Sequence, residues 1–81
     1  MAKILLPADL ALHTGGQREL ELDVRNVRQL FSALAKRFPE LSDPLETDVA
    51  VAIDGELYQD ALLQPIGANS EVILLPKLEG G

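Results

Sequence analysis

The clearest alternation of apolar and polar residues in the chain runs from Arg18 to Val24. Every second position there is Leu or Val and the positions between them are acidic, so this segment predicts a strand with one buried face. Upstream, the apolar segment from Lys3 to Leu12 predicts a first strand, although Pro7 cannot donate a hydrogen bond to a neighbouring strand. The connection His13-Thr14-Gly15-Gly16 predicts the turn of a hairpin, because paired glycines tolerate positive φ.

From Val27 onward the apolar period becomes helical. Asn26 is a suitable N-cap with Gln29 three residues later, as in a capping box, and Pro39 prevents the helix from continuing. The pattern therefore predicts one helix of about three turns. Its apolar stripe consists of Val27, Leu30, Phe31, Leu34, Ala35 and Phe38.

The second half of the chain predicts a polar connection from Pro39 to Asp48 and then a second hairpin. Val49 to Ile53 has strand character, and Asp54-Gly55 is a strong signal for a tight turn. The remaining segments are a short strand through Leu57 and Tyr58, an irregular stretch from Gln59 to Asn69, and a final strand from Glu71 to Leu75 closed by Pro76.

This order of elements predicts an α+β fold, in which one main helix packs on one face of a mixed sheet of four to five strands. A β-grasp, ubiquitin-like domain spanning residues 1–76 fits the order best, followed by a flexible tail over residues 77–81. The predicted core comprises Ile4 or Leu5 together with Leu20, Leu22, Leu30, Leu34, Val51 and Ile53.

The final strand is apolar on both faces, since the side chains of Val72 and Leu74 point to one face of the sheet and those of Ile73 and Leu75 point to the other. One helix covers only one face of a sheet, so part of this apolar surface is expected to remain exposed and to bind a partner. The predicted partner-binding residues are Leu57, Leu75, Pro76 and Leu78.

Composition narrows the possible functions. The 81 residues are enough for one domain, whose core must be mainly aliphatic because aromatic residues make up only 4% of the sequence. A formal net charge of −6, with scattered basic residues, argues against binding to nucleic acid or to anionic membranes. The N-terminal segment resembles neither a targeting signal nor a membrane span, so we expect a cytoplasmic location.

No self-contained active site is evident in the sequence. The chain has no cysteine, and its single histidine, His13, fits a surface turn better than a ligand or a general base. The acidic residues of the second strand fit a solvated face, and the glycine pairs lack the other residues of a phosphate-binding loop. We therefore expect that the chain is not an enzyme and holds no metal or cofactor.

The sequence finishes with Leu78-Glu79-Gly80-Gly81. A frayed terminus or an engineered remnant would account for two glycines here. A functional explanation is that a tail without side chains enters a narrow channel and presents the Gly81 carboxylate to the active site of another protein, where a Cβ would clash.

Taken together, these features resemble the MoaD/ThiS-type sulfur carrier proteins, which are β-grasp domains ending in Gly-Gly. The resemblance spans nearly the whole chain. It rests on Pro7-Ala8 in the opening strand, the His13–Gln17 turn, the Val27–Phe38 helix, the Ile53-Asp54-Gly55 hairpin, and Glu71–Pro76 leading to Gly80-Gly81.

The resemblance implies that an E1-like adenylyltransferase uses ATP and Mg to adenylate the carboxylate of Gly81, the residue after Gly80. A persulfide protein then converts the adenylate to a thiocarboxylate. The sulfur passes to an acceptor synthase, such as a MoaE-like large subunit, in cofactor or sulfur-metabolite biosynthesis. The product could be molybdopterin, thiamin thiazole, cysteine or another compound.

Two other functional classes are compatible with the same residues. A ubiquitin-like modifier would transfer the Gly81 adenylate to lysines of other proteins as an isopeptide. A non-catalytic interaction module would use the β-grasp scaffold alone, since one fold serves many functions.

Overall fold

A computed structural model describes residues 1–47 and 49–77 of the chain. These residues form a five-stranded mixed sheet in the order β2-β1-β5-β3-β4, with helices packed on one face, which confirms the predicted α+β, β-grasp architecture. Strand β1 runs parallel to β5, and the other neighbouring strands are antiparallel. In chain order the elements are β1 (Ala2–Leu5), α1 (Ala8–Ala11), β2 (Glu19–Leu22), α2 (Val27–Arg37), a 3₁₀ helix (Pro39–Leu41), α3 (Ser42–Thr47), β3 (Val49–Ile53), β4 (Glu56–Tyr58) and β5 (Glu71–Pro76).

The first strand is shorter than the segment from Lys3 to Leu12 that was predicted. Pairing of β1 ends at Leu5, and Pro7, which has no N–H to donate, precedes the short helix α1. Helix α1 buries Leu10 and Ala11, which explains the apolar residues that suggested a longer strand. The chain then turns back through Gly15 and Gly16 at φ of 71° and 90°, and β2 pairs with β1 as predicted.

Helix α2 begins where the sequence predicted and ends at Arg37, one residue before Phe38. Its N-cap is Asn26, whose Oδ1 accepts a hydrogen bond from the Gln29 backbone N–H at 2.8 Å. The Gln29 side chain reaches back one residue further than in a standard capping box and accepts from the Arg25 N–H at 2.9 Å. The Asn26 cap satisfies one donor that the first helical turn leaves free, and the Gln29 side chain satisfies the N–H of the residue before the cap.

The polar connection predicted from Pro39 to Asp48 is wrong, because the described part of this segment is helical. Leu41 and Leu45 are 0% and 3% exposed, so their spacing of four residues places two buried side chains on one side of consecutive helical turns. Pro39 opens the 3₁₀ helix and Pro44 lies in the first turn of α3, where a missing N–H breaks no intrahelical hydrogen bond.

One hydrophobic core joins the inner face of the sheet to α2, α3 and the 3₁₀ helix. Of the predicted core residues, Leu22 is only partly buried, whereas Ile4 rather than Leu5 fills the first position. The remaining predicted members, Leu20, Leu30, Leu34, Val51 and Ile53, are buried. Among the described residues, no helix combines the length and the apolar character that a membrane crossing requires.

Candidate functional site

The outer face of the sheet, opposite α2, carries a continuous apolar patch. The register places Leu57 beside Ala52, Ala52 beside Ile73, and Ile73 beside Leu5, in one row across four strands. Leu75 lies two residues beyond Ile73 on the same face, beside Ala50. We call Leu5, Ala52, Leu57, Ile73 and Leu75 the outer patch.

The exposure of these side chains agrees with the alternation of inward and outward side chains predicted for the final strand. Leu57 is 45% exposed and Leu75 is 36% exposed, while Val72 and Leu74 on the inner face are fully buried. Pro76 is also exposed and ends β5. The structure therefore leaves three of the predicted partner-binding residues accessible, and Leu78 lies outside the described residues, as do Gly80 and Gly81.

Ile73, Leu5 and Ala52 were absent from the predicted site. The parity of β5 pointed to Ile73, since it shares a face with Leu75. Leu5 and Ala52 join the patch only because their strands pair with β5, which is distant in the chain and whose neighbours the local pattern does not show. Acidic and basic residues border the patch on the β2 side, where Lys3 Nζ lies 3.4 Å from Glu19 Oε1.

The tail begins beside the outer patch and is anchored at its first residue. Lys77 follows β5, and its ammonium Nζ lies 2.8 Å from Asp60 Oδ1 in the loop after β4. Strand β3 lies between β5 and β4 in the sheet, so this ion pair spans β3. It does so at the end of β3 where Val49 pairs with Pro76. The root of the tail is thus tied to the edge of the sheet.

The hairpin turn at Asp54 and Gly55 is held to β5 by a compact polar network. Both residues have positive φ, 50° and 92°, as a tight primed turn requires. Asp54 Oδ1 accepts from the Glu71 N–H at 2.9 Å, and Asp54 Oδ2 accepts from Ser70 Oγ at 2.8 Å. These hydrogen bonds, the one from the Glu71 backbone first, lower the pKa of the Asp54 carboxyl.

Two further polar contacts lie on the surface. Tyr58 donates its hydroxyl to Glu56 Oε2 at 2.7 Å, and this bond raises the pKa of the Tyr58 phenol. His13 Nδ1 lies 3.4 Å from Glu40 Oε2, which places the only histidine of the sequence in a surface contact, as expected from its turn. Across residues 1–47 and 49–77, no three histidine or acidic side chains cluster as a metal site would require.

Comparison of the structure with solved proteins identifies close structural relatives. CysO in the Amycolatopsis orientalis BexX/CysO complex superposes with a TM-score of 0.83 at 19% identity, over 100% of both chains. Mycobacterium tuberculosis CysO gives 0.83 at 20% identity, over 96% of this chain and 100% of that one. SAMP1 of Haloferax volcanii, a small archaeal modifier protein, gives 0.76 at 28% identity, over 99% and 98% of the two chains.

Comparison of the sequence with known proteins gives the family. No curated protein matches the sequence significantly. The model of the ThiS family matches residues 4–81, a span that includes both terminal glycines. This match covers nearly the whole sequence and confirms the resemblance drawn from its motifs: the chain belongs to the ThiS family.

Proposed function

We propose that the chain carries sulfur as a thiocarboxylate on Gly81. The observation that carries this proposal is the family match, which runs through Gly80 and Gly81 and so includes the tail. Membership of the family makes the chain a sulfur carrier or a ubiquitin-like small modifier. The outer patch beside the root of the tail suits both, because an enzyme that acts on the tail needs a surface to hold.

The chemistry requires a partner enzyme. A carboxylate is a poor electrophile, so an oxygen of the Gly81 carboxylate attacks the α-phosphate of ATP, and pyrophosphate leaves. The terminal sulfur of a persulfide then attacks the acyl carbon and AMP leaves, which forms an acyl disulfide. A thiol of the donor then attacks the donor's own sulfur in this acyl disulfide. The S–S bond breaks, a disulfide forms on the donor, and the C(O)S⁻ terminus is released. An E1-like enzyme supplies the phosphate and Mg contacts for the first step.

In this mechanism the folded domain contributes binding, and the tail contributes the reacting group. The outer patch docks on the E1-like enzyme through Leu57 and Leu75, with Pro76 at the end of β5 and Leu78 on the tail adding further contacts. The loaded carrier then delivers its sulfur to an acceptor synthase, for which a MoaE-like large subunit is the first candidate. We place these steps in the cytoplasm, where ATP is available.

The test uses the absence of cysteine from the sequence. The protein is purified from its own host and its intact mass is measured, before and after treatment with iodoacetamide under conditions selective for thiols. A thiocarboxylate replaces one oxygen by sulfur and takes up one alkyl group, whereas an unmodified chain does neither. The same chain without Gly81 is the control. A chain that acquires no sulfur in a host actively making the E1-like enzyme contradicts the proposal.

A second candidate function is protein modification, which the similarity to the small archaeal modifier protein favours. Here the amine of a lysine replaces sulfur as the nucleophile that attacks the adenylate. Recovery of Gly-Gly remnants on lysines of other proteins, lost when Gly81 is deleted, would establish this activity. If the tail is dispensable for every partner, the outer patch instead serves a plain interaction module.

A further inference from the structure

A cavity opens beside the root of the tail, on the side of the sheet that faces the helices. It has a volume of about 230 Å³ and lies between α2, α3, the strands β3 and β4, and the loop that follows β4. We call it the aromatic cavity; its apolar walls include Phe31, Leu45, Tyr58 and Leu62, and two carboxylates, those of Glu46 and Asp60, also line it.

The aromatic content of the chain is concentrated here. The sequence has two Phe and one Tyr, and two of these three residues, Phe31 and Tyr58, line the cavity. Both are partly exposed, so each presents apolar ring surface to an incoming group. Aromatic rings beside carboxylates attract a cation, the rings through their negative faces and the carboxylates through their charge.

The size of the cavity indicates its occupant. At 230 Å³ it is smaller than the roughly 300–1,000 Å³ of sites for drug-sized ligands, so it suits a single side chain. Lys and Arg meet both requirements, because they pack an apolar stem against apolar walls while the charged end reaches a carboxylate.

An ion pair within the chain shows that the rim of the cavity binds a cation. Lys77 Nζ lies 2.8 Å from Asp60 Oδ1, although 78% of the Asp60 side chain is exposed. Glu46 makes no ion pair with any residue of the described ranges 1–47 and 49–77. One carboxylate of the cavity is therefore satisfied internally and the other is available to a partner.

We propose that the aromatic cavity receives a Lys or Arg side chain of the adenylating enzyme when that enzyme takes hold of the tail. The inference rests on the proposed function. It adds a second contact with the enzyme, on the side of the sheet opposite the outer patch. The position of Lys77 supports it, because the residue that starts the tail is bound to the rim of the cavity, so an enzyme gripping the tail comes close to Glu46. The net charge of −6 also favours a basic partner surface.

The experiment measures ATP–pyrophosphate exchange by the E1-like enzyme of the same organism, with the full chain as substrate. Glu46 is exposed on α3, so its substitution should leave the fold intact, which thermal unfolding of each variant checks. Glu46→Gln should raise the KM for the carrier about threefold and Glu46→Lys about tenfold or more, with kcat unchanged, because a binding contact is lost or replaced by repulsion. Asp23→Asn is the matched control: it removes one exposed charge after β2, at the opposite edge of the sheet, and should leave KM unchanged.

Three outcomes would overturn the inference, and they are distinguishable. If the wild-type chain is adenylated and Glu46→Lys has the wild-type KM, the cavity is not part of the interface and the proposed function stands. If the wild-type chain is not adenylated at all, the proposed function fails and the inference fails with it. An equal rise of KM in Glu46→Gln and Asp23→Asn would also contradict the inference, because each variant removes one negative charge and the rise would reflect net charge rather than the cavity.

Discussion

Leu74 and Leu75 are neighbours in β5, yet Leu74 is 0% exposed and Leu75 is 36% exposed. Successive side chains of a strand point to opposite faces, so one leucine fills the core and the next lies in the outer patch. The two residues therefore separate the stability of the fold from the proposed binding of a partner, and variants of each face can be designed to test one property at a time.

The first prediction concerns the outer patch. Leu75→Glu should weaken the complex with the E1-like enzyme by about tenfold or more, because it places a charge at the centre of an apolar contact. Thermal unfolding should change little, since Leu75 is only partly buried. Leu63→Glu is the control, because Leu63 is 76% exposed and lies outside the outer patch. Isothermal titration calorimetry with the enzyme provides the measurement, and equal affinities of the two variants would remove Leu75 from the interface.

The second prediction concerns the core and the helical segment after α2. Leu34 and Leu41 are both 0% exposed, so replacement of either by Ala should lower the free energy of unfolding by about 2 to 5 kcal/mol. Leu63→Ala should change it by less than about 0.5 kcal/mol, because that side chain is exposed. Urea denaturation measures all three. A small effect of Leu41→Ala beside a large effect of Leu34→Ala would show that the 3₁₀ helix contributes little to the core.

The third prediction concerns the pH dependence of stability. The pKa of Asp54 is lowered in the folded protein from 3.8, so the folded state favours the carboxylate. This contribution is fully present above the unfolded pKa and is lost as the pH falls through the folded pKa. The difference in unfolding free energy between wild type and Asp54→Asn should therefore be constant near neutral pH and shrink below about pH 4.

Ser70→Ala is the companion variant for this measurement. It removes the hydroxyl that donates to Asp54 Oδ2 but keeps the bond from the Glu71 N–H, which is the larger cause of the lowered pKa of Asp54. It should reproduce only part of the change seen in Asp54→Asn. Wild type and Asp54→Asn curves that stay parallel between about pH 7 and about pH 2 would show that the hairpin network does not favour the carboxylate.

The fourth prediction concerns the tail. Deletion of Gly81 should abolish adenylation, because the carboxylate then ends one residue, about 3.3 to 3.6 Å, short of the ATP α-phosphate. Reaction needs the two atoms about 3 to 3.5 Å apart, so the shortened chain cannot reach. Gly80→Ala should reduce adenylation less, through the clash of its Cβ with a channel shaped for bare backbone.

Thermal unfolding should be unchanged in both tail variants, and ATP–pyrophosphate exchange is the assay. Full activity without Gly81 would mean that the terminal carboxylate is not the reacting group. The outer patch would then remain as the functional surface of an interaction module.

Local pattern determined most of this fold. The period of three to four residues from Val27 predicted α2, and the alternation through Leu20 predicted β2, because each period matches the geometry of one type of element. Asp54-Gly55 predicted the second hairpin through its tolerance of positive φ, which the structure shows at both residues. The parity of β5 likewise predicted that Leu75 and Leu74 face opposite sides.

Tertiary structure decided what short segments become and which residues meet. The apolar residues after Pro7 became α1 rather than more of β1, and the segment containing Leu41 became helical, because burial against the core outweighs a weak local preference in so few residues. Strand register brought Leu5 and Ala52 into the outer patch. The arrangement of α2, α3, β3 and β4 built the aromatic cavity, and the fold placed Lys77 against Asp60, seventeen residues away in the chain. Contacts between distant residues depend on topology, which no local period encodes.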